Sequence, residues 1–380
     1  MLAAATLAVW IYLAFARGAF WLCREGDDWD SPSPAEWPSV AAIVPARNEA
    51  DLIGATIGSL VGQEYKGAWS VVLVDDESSD DTVGIAQRSL PEGYEQRLRI
   101  LSSRALPSGW TGKLWAMKQG IDAALALAPR PEYLLLTDAD IVHASDSVSR
   151  LIRHAHGKHL VLVSLMVKLH CESVAERVNV PAFVFFFRML YPFSWVNRPS
   201  SRVAAAAGGC MLVRTDALVA AGGIEPIRAA LIDDCTLAKR LKRHGPIWLA
   251  LTTRVSSMRK YPSFADIRGM VARSAYAQLR YSLVLLAGTV LGMVLTFLLP
   301  LLLALFGAGM PRAVGFTTWG IMAVTFQPML RLYRLSPLWG LALPAIALEY
   351  LVFTLDSAYQ YARGRGGVWK GRVQARASGP

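Results

Sequence analysis

Tyr133-Leu134-Leu135-Leu136-Thr137-Asp138-Ala139-Asp140 begins as an apolar run and ends in two carboxylates one residue apart. The run follows a break at Pro129 and Pro131, and its length suits a buried parallel strand. Open α/β sheets bind ligands beyond the carboxyl ends of their strands, so acids placed there face a ligand. In an extended chain alternate residues share a side, which puts Asp138 and Asp140 together. Two hard oxygen donors on one side suit Mg²⁺ or Mn²⁺ carrying a diphosphate. The same residues would equally make an acidic turn after a strand, and the rest of the chain decides between the two.

Working outward, Val40–Pro45, Ser70–Asp75 and Arg99–Ser102 are short apolar strands, and Ala50–Gly62 and Thr111–Leu127 have helical spacing. Alternating strands and helices predict an α/β fold with a doubly wound, mostly parallel sheet. The first strand ends in Pro45-Ala46-Arg47-Asn48-Glu49 and the second in Asp75-Asp76-Glu77-Ser78-Ser79-Asp80. A buried carboxylate at a strand end can accept the N3–H of a uracil ring, while its neighbours take ribose hydroxyls. Ser79 and Asp80 read instead as caps of a helix beginning near Thr82. Lys113 opens a helix, where an ammonium and the helix N-terminus can meet a diphosphate together. His143 reads as a polar loop residue rather than a third metal ligand. In Ala207-Gly208-Gly209-Cys210 the glycines permit close backbone approach to a ligand, or simply turn the chain into a strand over Cys210–Arg214. Asp233 and Asp234 begin a helix and suit its dipole. A carboxylate there can also take the proton of a hydroxyl, whose own pKa lies far above 7.

The 380 residues are 53% hydrophobic and only 18% charged, with a formal charge of +10. An ordinary soluble protein does not have that balance. No aromatic-and-basic nucleic-acid module stands out, so no nucleic-acid partner is expected, and the charge points to anionic lipid surfaces. Cys23, Cys171, Cys210 and Cys235 form no CxxC pair, which argues against a zinc site or disulfide framework. The apolar excess lies at the ends. Residues 1–24 read as an uncleaved transmembrane anchor, and 25–39, acidic and Pro-rich, as a linker. The α/β domain is expected over 40–260. Within it, the aromatics from Phe183 to Trp195 read as a membrane-interface surface. An amphipathic basic helix is expected over 261–281 and a transmembrane region over 282–360. Its apolar segments 282–307, 313–330 and 337–357 are read as two spans and one shallow segment. A basic tail over 361–380 carries Arg363, Arg365, Lys370, Arg372 and Arg376.

Taken together, Pro45/Asn48/Glu49, Asp75/Asp76/Ser78/Asp80, Asp138/Asp140 and Asp233/Asp234 resemble, in order, the motifs of family 2 glycosyltransferases of the GT-A fold. The resemblance covers roughly residues 40–280. It implies a Rossmann-like GT-A catalytic domain, a nucleotide-diphospho-sugar donor (most often a UDP-sugar) and inversion at the anomeric carbon. It implies donor contacts from Pro45, Asn48, Glu49, Asp75, Asp76, Ser78 and Asp138. The stretch Trp110–Ala116 matches the family's G-K-x-x-A element, which puts Lys113 on the diphosphate. Asp138 and Asp140 match the Mg²⁺ or Mn²⁺ ligands and Asp234 the general base, with Asp233 orienting it. Gly208, Gly209 and Cys210 match an acceptor-side element. Membrane-linked members often carry Q/R-x-x-R-W; here Arg273 matches its Arg, while Met270 and Ser274 depart from the pattern and argue against a processive polysaccharide synthase. The wider pattern resembles the hopene-associated glycosyltransferases of hopanoid-making bacteria. That implies a hopanoid or other lipid acceptor, and a multi-pass protein of the bacterial inner membrane with its catalytic domain cytoplasmic. Enzymes acting on carotenoid or sphingolipid-like acceptors would share these motifs, whereas a non-enzymatic scaffold needs none of the ordered carboxylates.

Overall fold

The structure is a computed structural model that describes residues 1–370 and 372–375. The chain forms two compact units, each assembled from separate stretches. One comprises Glu25–Leu169 and Trp195–Arg259; the other comprises Met1–Arg24, His170–Ser194 and the residues from Lys260 onward.

The first unit is built on an eight-stranded sheet. Its strands are β1 (Val40–Ala46), β2 (Trp69–Asp75), β3 (Leu98–Ser102), β4 (Tyr133–Thr137), β5 (Ile141–His143), β6 (Leu162–Lys168), β7 (Cys210–Arg214) and β8 (Ile247–Ser257). Their order is β3-β2-β1-β4-β7-β6-β8-β5. The half β3-β2-β1-β4 is parallel. Beyond it β7 runs antiparallel to both β4 and β6, and β5 antiparallel to β8, while β6 and β8 are parallel. The sheet is mostly parallel, as expected: six of the eight strands run one way, and only β7 and β5 are reversed. Apolar runs locate strands, but direction depends on where each connection leaves, which the runs do not record.

The parallel half forms because its strands can be covered on both faces. All seven residues of β1 and all five of β4 are buried. Each fully buried Val, Leu or Ile there contributes about 1.5–3 kcal/mol from apolar area removed from water. The Ala50–Val61 helix buries Ile53, Ile57 and Leu60, spaced one turn apart along a single face. The Gly112–Leu125 helix lies so close to the sheet that a Cβ at Gly120 would stand 2.6 Å from Ile43 Cγ2 and 3.0 Å from Val74 Cγ2. Thr111 caps this helix, its hydroxyl accepting from the Leu114 N–H at 3.3 Å, which fixes Lys113 in the first turn.

Residues 25–39 are not a free linker. The Glu25 carbonyl accepts from Leu251 N–H at 2.8 Å. Thr252 donates to the buried Asp27 carboxylate. Trp29 stacks on His154 at 3.8 Å, and His154 meets the edge of Trp248 at 4.9 Å. An acidic, Pro-rich composition suggested a solvated segment, but Trp29 and the one buried acid, Asp27, strap it onto the first unit.

In the second unit, helix Val174–Leu190 begins at a Ser173/Glu176 capping box. Burial alone would raise the Glu176 carboxyl. The Tyr261, Glu172 and Ser173 N–H groups and the His170 imidazole outweigh it and hold the group down at about 2. Of the aromatics on this helix Phe185 is core, and Phe183, Phe186 and Phe187 are half-buried, so the reading of them all as an interface surface is corrected at Phe185. Phe185 packs edge-on to Phe20 and Phe326, and Phe186 to Phe297 and Tyr350. Arg188 is itself buried, donating to the Phe20 carbonyl at 2.7 Å and lying over the Phe193 ring. The basic stretch 261–281 is two helices, Phe264–Ala272 and Ala275–Gln278, rather than one, and Arg280 and Tyr281 take left-handed backbone after them.

Two helices, Leu283–Phe306 and Pro337–Ala362, are long and apolar enough to cross a membrane. The first leaves Leu283, Val284, Leu291 and Phe306 widely exposed. The apolar helix over Leu2–Ala16 is shorter than the roughly 20 residues a span needs. Of the expected basic tail, Gly366–Trp369 pairs antiparallel with Arg372–Ala375, and Arg376 lies outside the described residues.

Candidate active site

At the carboxyl ends of β1 and β2, two loops are laced together by hydrogen bonds, most of them to backbone groups. Asn48 takes a left-handed conformation (φ 50°) that Asn tolerates better than most residues. Its N–H donates to Ser78 Oγ at 2.9 Å, and its Oδ1 accepts from the Ser79 N–H at 2.8 Å. The Glu49 N–H donates to Thr82 Oγ1 at 2.9 Å and the Ala50 N–H to Asp80 Oδ2 at 3.1 Å. Arg47 donates to the Asp76 and Glu77 carbonyls. Asp76 is buried, whereas Asp75 is only partly so. One oxygen of Asp75 accepts from Ser78 N–H at 3.4 Å, and the other is buried with no hydrogen-bond partner among the described residues. An orphaned buried acceptor costs about 1–3 kcal/mol, and a donor supplied from outside would relieve it. Pro45 is part of β1, paired with Val74, so it acts through the strand rather than through a polar group.

β4 ends at Thr137, and the chain turns over Ala139–Asp140 into β5. Ala139 is buried and its carbonyl accepts from Thr56 Oγ1 at 2.9 Å, which fixes the turn between the two acids. Each acid meets a different cation. Asp138 Oδ1 lies 2.8 Å from Lys113 Nζ, which is also 3.5 Å from Asp233 Oδ2. Asp140 Oδ2 accepts from Arg259 Nε at 2.9 Å and from Ser257 Oγ at 3.2 Å. The other arm of Arg259 is bidentate on Glu49, at 2.7 and 2.8 Å. Burial raises the Asp138 carboxyl; Lys113 opposes the shift, and Asp140 and Asp233 add to it. Glu49 is therefore turned toward Arg259 and Asp140.

Asp234 sits in the first turn of the Asp233–Leu241 helix. Its Oδ2 accepts from the Gly208 N–H at 2.9 Å and its Oδ1 from the Cys235 N–H. Burial first, and then the neighbouring Asp233, lifts its carboxyl to about 6, the range in which a carboxylate can accept a proton near neutral pH. The segment bearing Gly208 is held from two sides. Ser164 Oγ bonds both the N–H and the carbonyl of Ala207, at 2.9 and 3.1 Å. Thr137 Oγ1 donates to the Gly209 carbonyl at 2.7 Å. Lys113, Leu114, Gly208, Asp233, Asp234 and Ile227 share the lining of one pocket.

The donor set fits a divalent cation. Asp138 and Asp140 would be its carboxylate ligands. Glu49, Asp138, Asp140 and Asp233 are drawn together around the cations Lys113 and Arg259. That crowding of negative charge is what Mg²⁺ or Mn²⁺ would offset.

Residues 41–220 match the description of glycosyl transferase family 2, and residues 133–351 that of glycosyl transferase family group 2. The chain belongs to glycosyltransferase family 2. A 125-residue stretch is 31% identical to an N-acetylglucosaminyltransferase of Mesorhizobium japonicum, covering 32% of this chain and 27% of that one. A 114-residue stretch is 32% identical to an uncharacterized protein of Methanocaldococcus jannaschii, covering 30% and 40%. The chain thus spans well under half the length of these curated relatives. A mannosyltransferase from Pyrobaculum calidifontis, solved with GDP-Man and Mn²⁺, superposes with a TM-score of 0.53 at 17% identity, covering 93% of this chain and 99% of that one. That likeness supports the GT-A-like α/β fold of this family 2 glycosyltransferase.

Several expected site residues stand elsewhere in the transferase. The Cys210 thiol is fully buried in the core at the start of β7, and burial raises its pKa; only its backbone belongs to the acceptor-side element. Gly209 is a packing glycine, since a Cβ there would lie 3.0 Å from Val167. His143 is not a loop residue. It ends β5, buried and neutral, with burial holding it at about 4 and its Nε2 3.0 Å from Thr137 Oγ1. Arg273 is exposed and belongs to the second unit. Arg259 and Ser164 escaped sequence reading: neither sits in a recognised motif, and only the sheet topology brings them to the site. Thr137 stood in the opening stretch, but its bond to the Gly209 carbonyl was not foreseen.

Proposed function

We propose that this glycosyltransferase moves a sugar from a nucleotide-diphospho-sugar to a hydroxyl on a membrane lipid, with inversion at the anomeric carbon. The observation that carries the reading is the convergence of both carboxylate motifs on Lys113, which touches Asp138 and Asp233 at once. The donor diphosphate would lie against Lys113 and the β4 end, with its base toward the unpartnered oxygen of Asp75. Uracil carries an N–H suited to that acceptor, so a UDP-sugar is the preferred donor. Asp138 and Asp140 would hold Mg²⁺ or Mn²⁺, which when bound neutralises charge on the departing diphosphate. Asp234, aimed by the Gly208 and Cys235 N–H groups, takes the acceptor hydroxyl's proton as its oxygen attacks the anomeric carbon from the face opposite the diphosphate. Asp233 positions Lys113.

A lipid acceptor is supported by the two long apolar helices, one of them widely exposed. Among lipids, a hopanoid is the acceptor the motif string favours, with the protein in a bacterial inner membrane and its catalytic unit on the cytoplasmic side. The full-length protein, in detergent with Mn²⁺, should convert a UDP-hexose and a hopanoid-containing lipid extract into a product heavier by one hexosyl residue. The Asp234→Asn variant should not. Transfer only to soluble saccharides, or polymer in place of a single addition, would overturn the lipid reading.

A further inference from the structure

Arg259 stands at the end of β8 and was marked by no motif, yet it holds two acids of two different motifs. One face of its guanidinium is bidentate on Glu49 and its Nε is on Asp140 Oδ2. Glu49 is 8% and Asp140 9% exposed, so both carboxylates are largely out of water and need a counter-charge. The site is shaped to deliver one. Ser257 Oγ accepts from the Arg259 N–H at 3.3 Å while donating to Asp140 at 3.2 Å, and the Met258 N–H donates to the Asp140 carbonyl at 2.9 Å. The strand end thus meets Asp140 at three points, through Ser257, Met258 and Arg259. A guanidinium is permanently charged and planar, and here it reaches two carboxylates from two different nitrogens, Nε and Nη2.

We propose that Arg259 is the internal counter-ion of the metal-binding acids, giving up Asp140 when a divalent cation arrives and thereby setting that cation's affinity. Glu49 is the resting place. Its bidentate grip keeps the guanidinium beside the site after Asp140 is released, so the exchange needs a small side-chain shift and no change of fold. Arg259 is a positioning residue on this view, acting through Asp140. The proposal rests on the reading of Asp138 and Asp140 as metal ligands, and the test separates the two.

The experiment titrates the full-length protein in detergent with Mn²⁺ alone and follows free Mn²⁺ by electron paramagnetic resonance. Arg259→Gln should bind Mn²⁺ about tenfold or more tightly than the unmodified protein, because it removes a like charge a few ångströms from the ion. Arg259→Lys, which keeps the charge but offers one nitrogen where Arg259 uses two, should fall between them. Unchanged or weaker binding in both variants overturns the proposal. If Arg259→Gln does not fold, Arg259→Lys carries the test alone, and binding no tighter than unmodified protein overturns it. Asp140→Asn tests the underlying reading: if it binds Mn²⁺ as tightly as the unmodified protein, the metal assignment fails whatever Arg259 does.

Discussion

The two halves of the donor site satisfy their polar groups in different ways. At the ends of β1 and β2, Asn48, Ser78, Ser79, Asp80 and Thr82 are tied mainly to backbone N–H groups of the facing loop. The neutral bonds among them contribute about 0.5–1.5 kcal/mol each and fix geometry. At the end of β4, Asp138 and Asp140 are instead held by the charged ends of long side chains, Lys113 and Arg259. Those partners can leave without unravelling any backbone. On the proposed function, the first half would be a preformed shelf for a base and ribose, and the second a set of exchangeable charges for a diphosphate and its cation.

The largest effect should come from outside both halves, at Asp234, which the Gly208 and Cys235 N–H groups hold. Asp234→Asn is expected to lower kcat about 10³-fold, in the range of a lost general base, while UDP binding stays within a few-fold. Calorimetry with UDP checks the second clause, and retained turnover would remove Asp234 from the chemistry. The pH profile sharpens this point. The base must be ionised, so kcat/KM should fall about tenfold per unit as pH drops below about 6. The linkage runs the other way. Since the folded value lies above the usual carboxylate range, ionising Asp234 costs the folded state stability, a cost that grows as pH rises toward 6 and is complete above it. Asp234→Asn should therefore melt higher than the unmodified protein at pH 8 and lose that advantage at pH 4.

Lys113→Ala should cost about 10²-fold in kcat/KM, as for a charge aimed at a departing phosphate. Steady-state kinetics at saturating Mn²⁺ would show it, and a loss under threefold would make Lys113 a bystander. The preformed half should respond more weakly and in a different parameter. Asn48→Ala should raise the donor KM about fivefold to tenfold with kcat within twofold, since it removes one acceptor and strains a left-handed residue. Asn48→Gly, which relieves the strain but not the lost bond, should recover part of the loss; equal damage from both would locate the effect in the hydrogen bond alone. Smallest for chemistry is Gly120→Ala. It should lower stability by about 1–3 kcal/mol by pushing the Lys113 helix off β1, and a thermal melt would register it.

Much of the parallel half was legible in the sequence because pattern and chemistry coincide there. The reading of β4 over Tyr133–Thr137 matches the structure, as does β7 over Cys210–Arg214, and helix 112–125 differs by one residue at its start and two at its end. Four carboxylate motifs at strand and helix ends marked the site. What stayed hidden depends on partners remote in the chain. Arg259 meets Glu49 across 210 positions, and a lone arginine after a strand carries no periodic signal. Trp29 looked like part of a spacer until His154 supplied its stacking partner. The run of phenylalanines after Phe183 could be core or interface, and hydrophobicity alone weighs both equally until Phe20, Phe297 and Phe326 appear beside it.

One feature of connectivity bears on how the protein is made. The catalytic unit is interrupted by His170–Ser194, and β7 and β8 lie beyond that interruption. Because β7 stands between β4 and β6, the sheet has a missing centre until residue 214 has left the ribosome. Until then β4 and β6 expose unpaired edges, a state prone to wrong pairing. The apolar helix of the second unit is synthesised inside that interval. Cleaving the chain at either border of the interruption would not release a foldable catalytic fragment; a soluble version would need residues 170–194 replaced by a short connector while both flanks were kept.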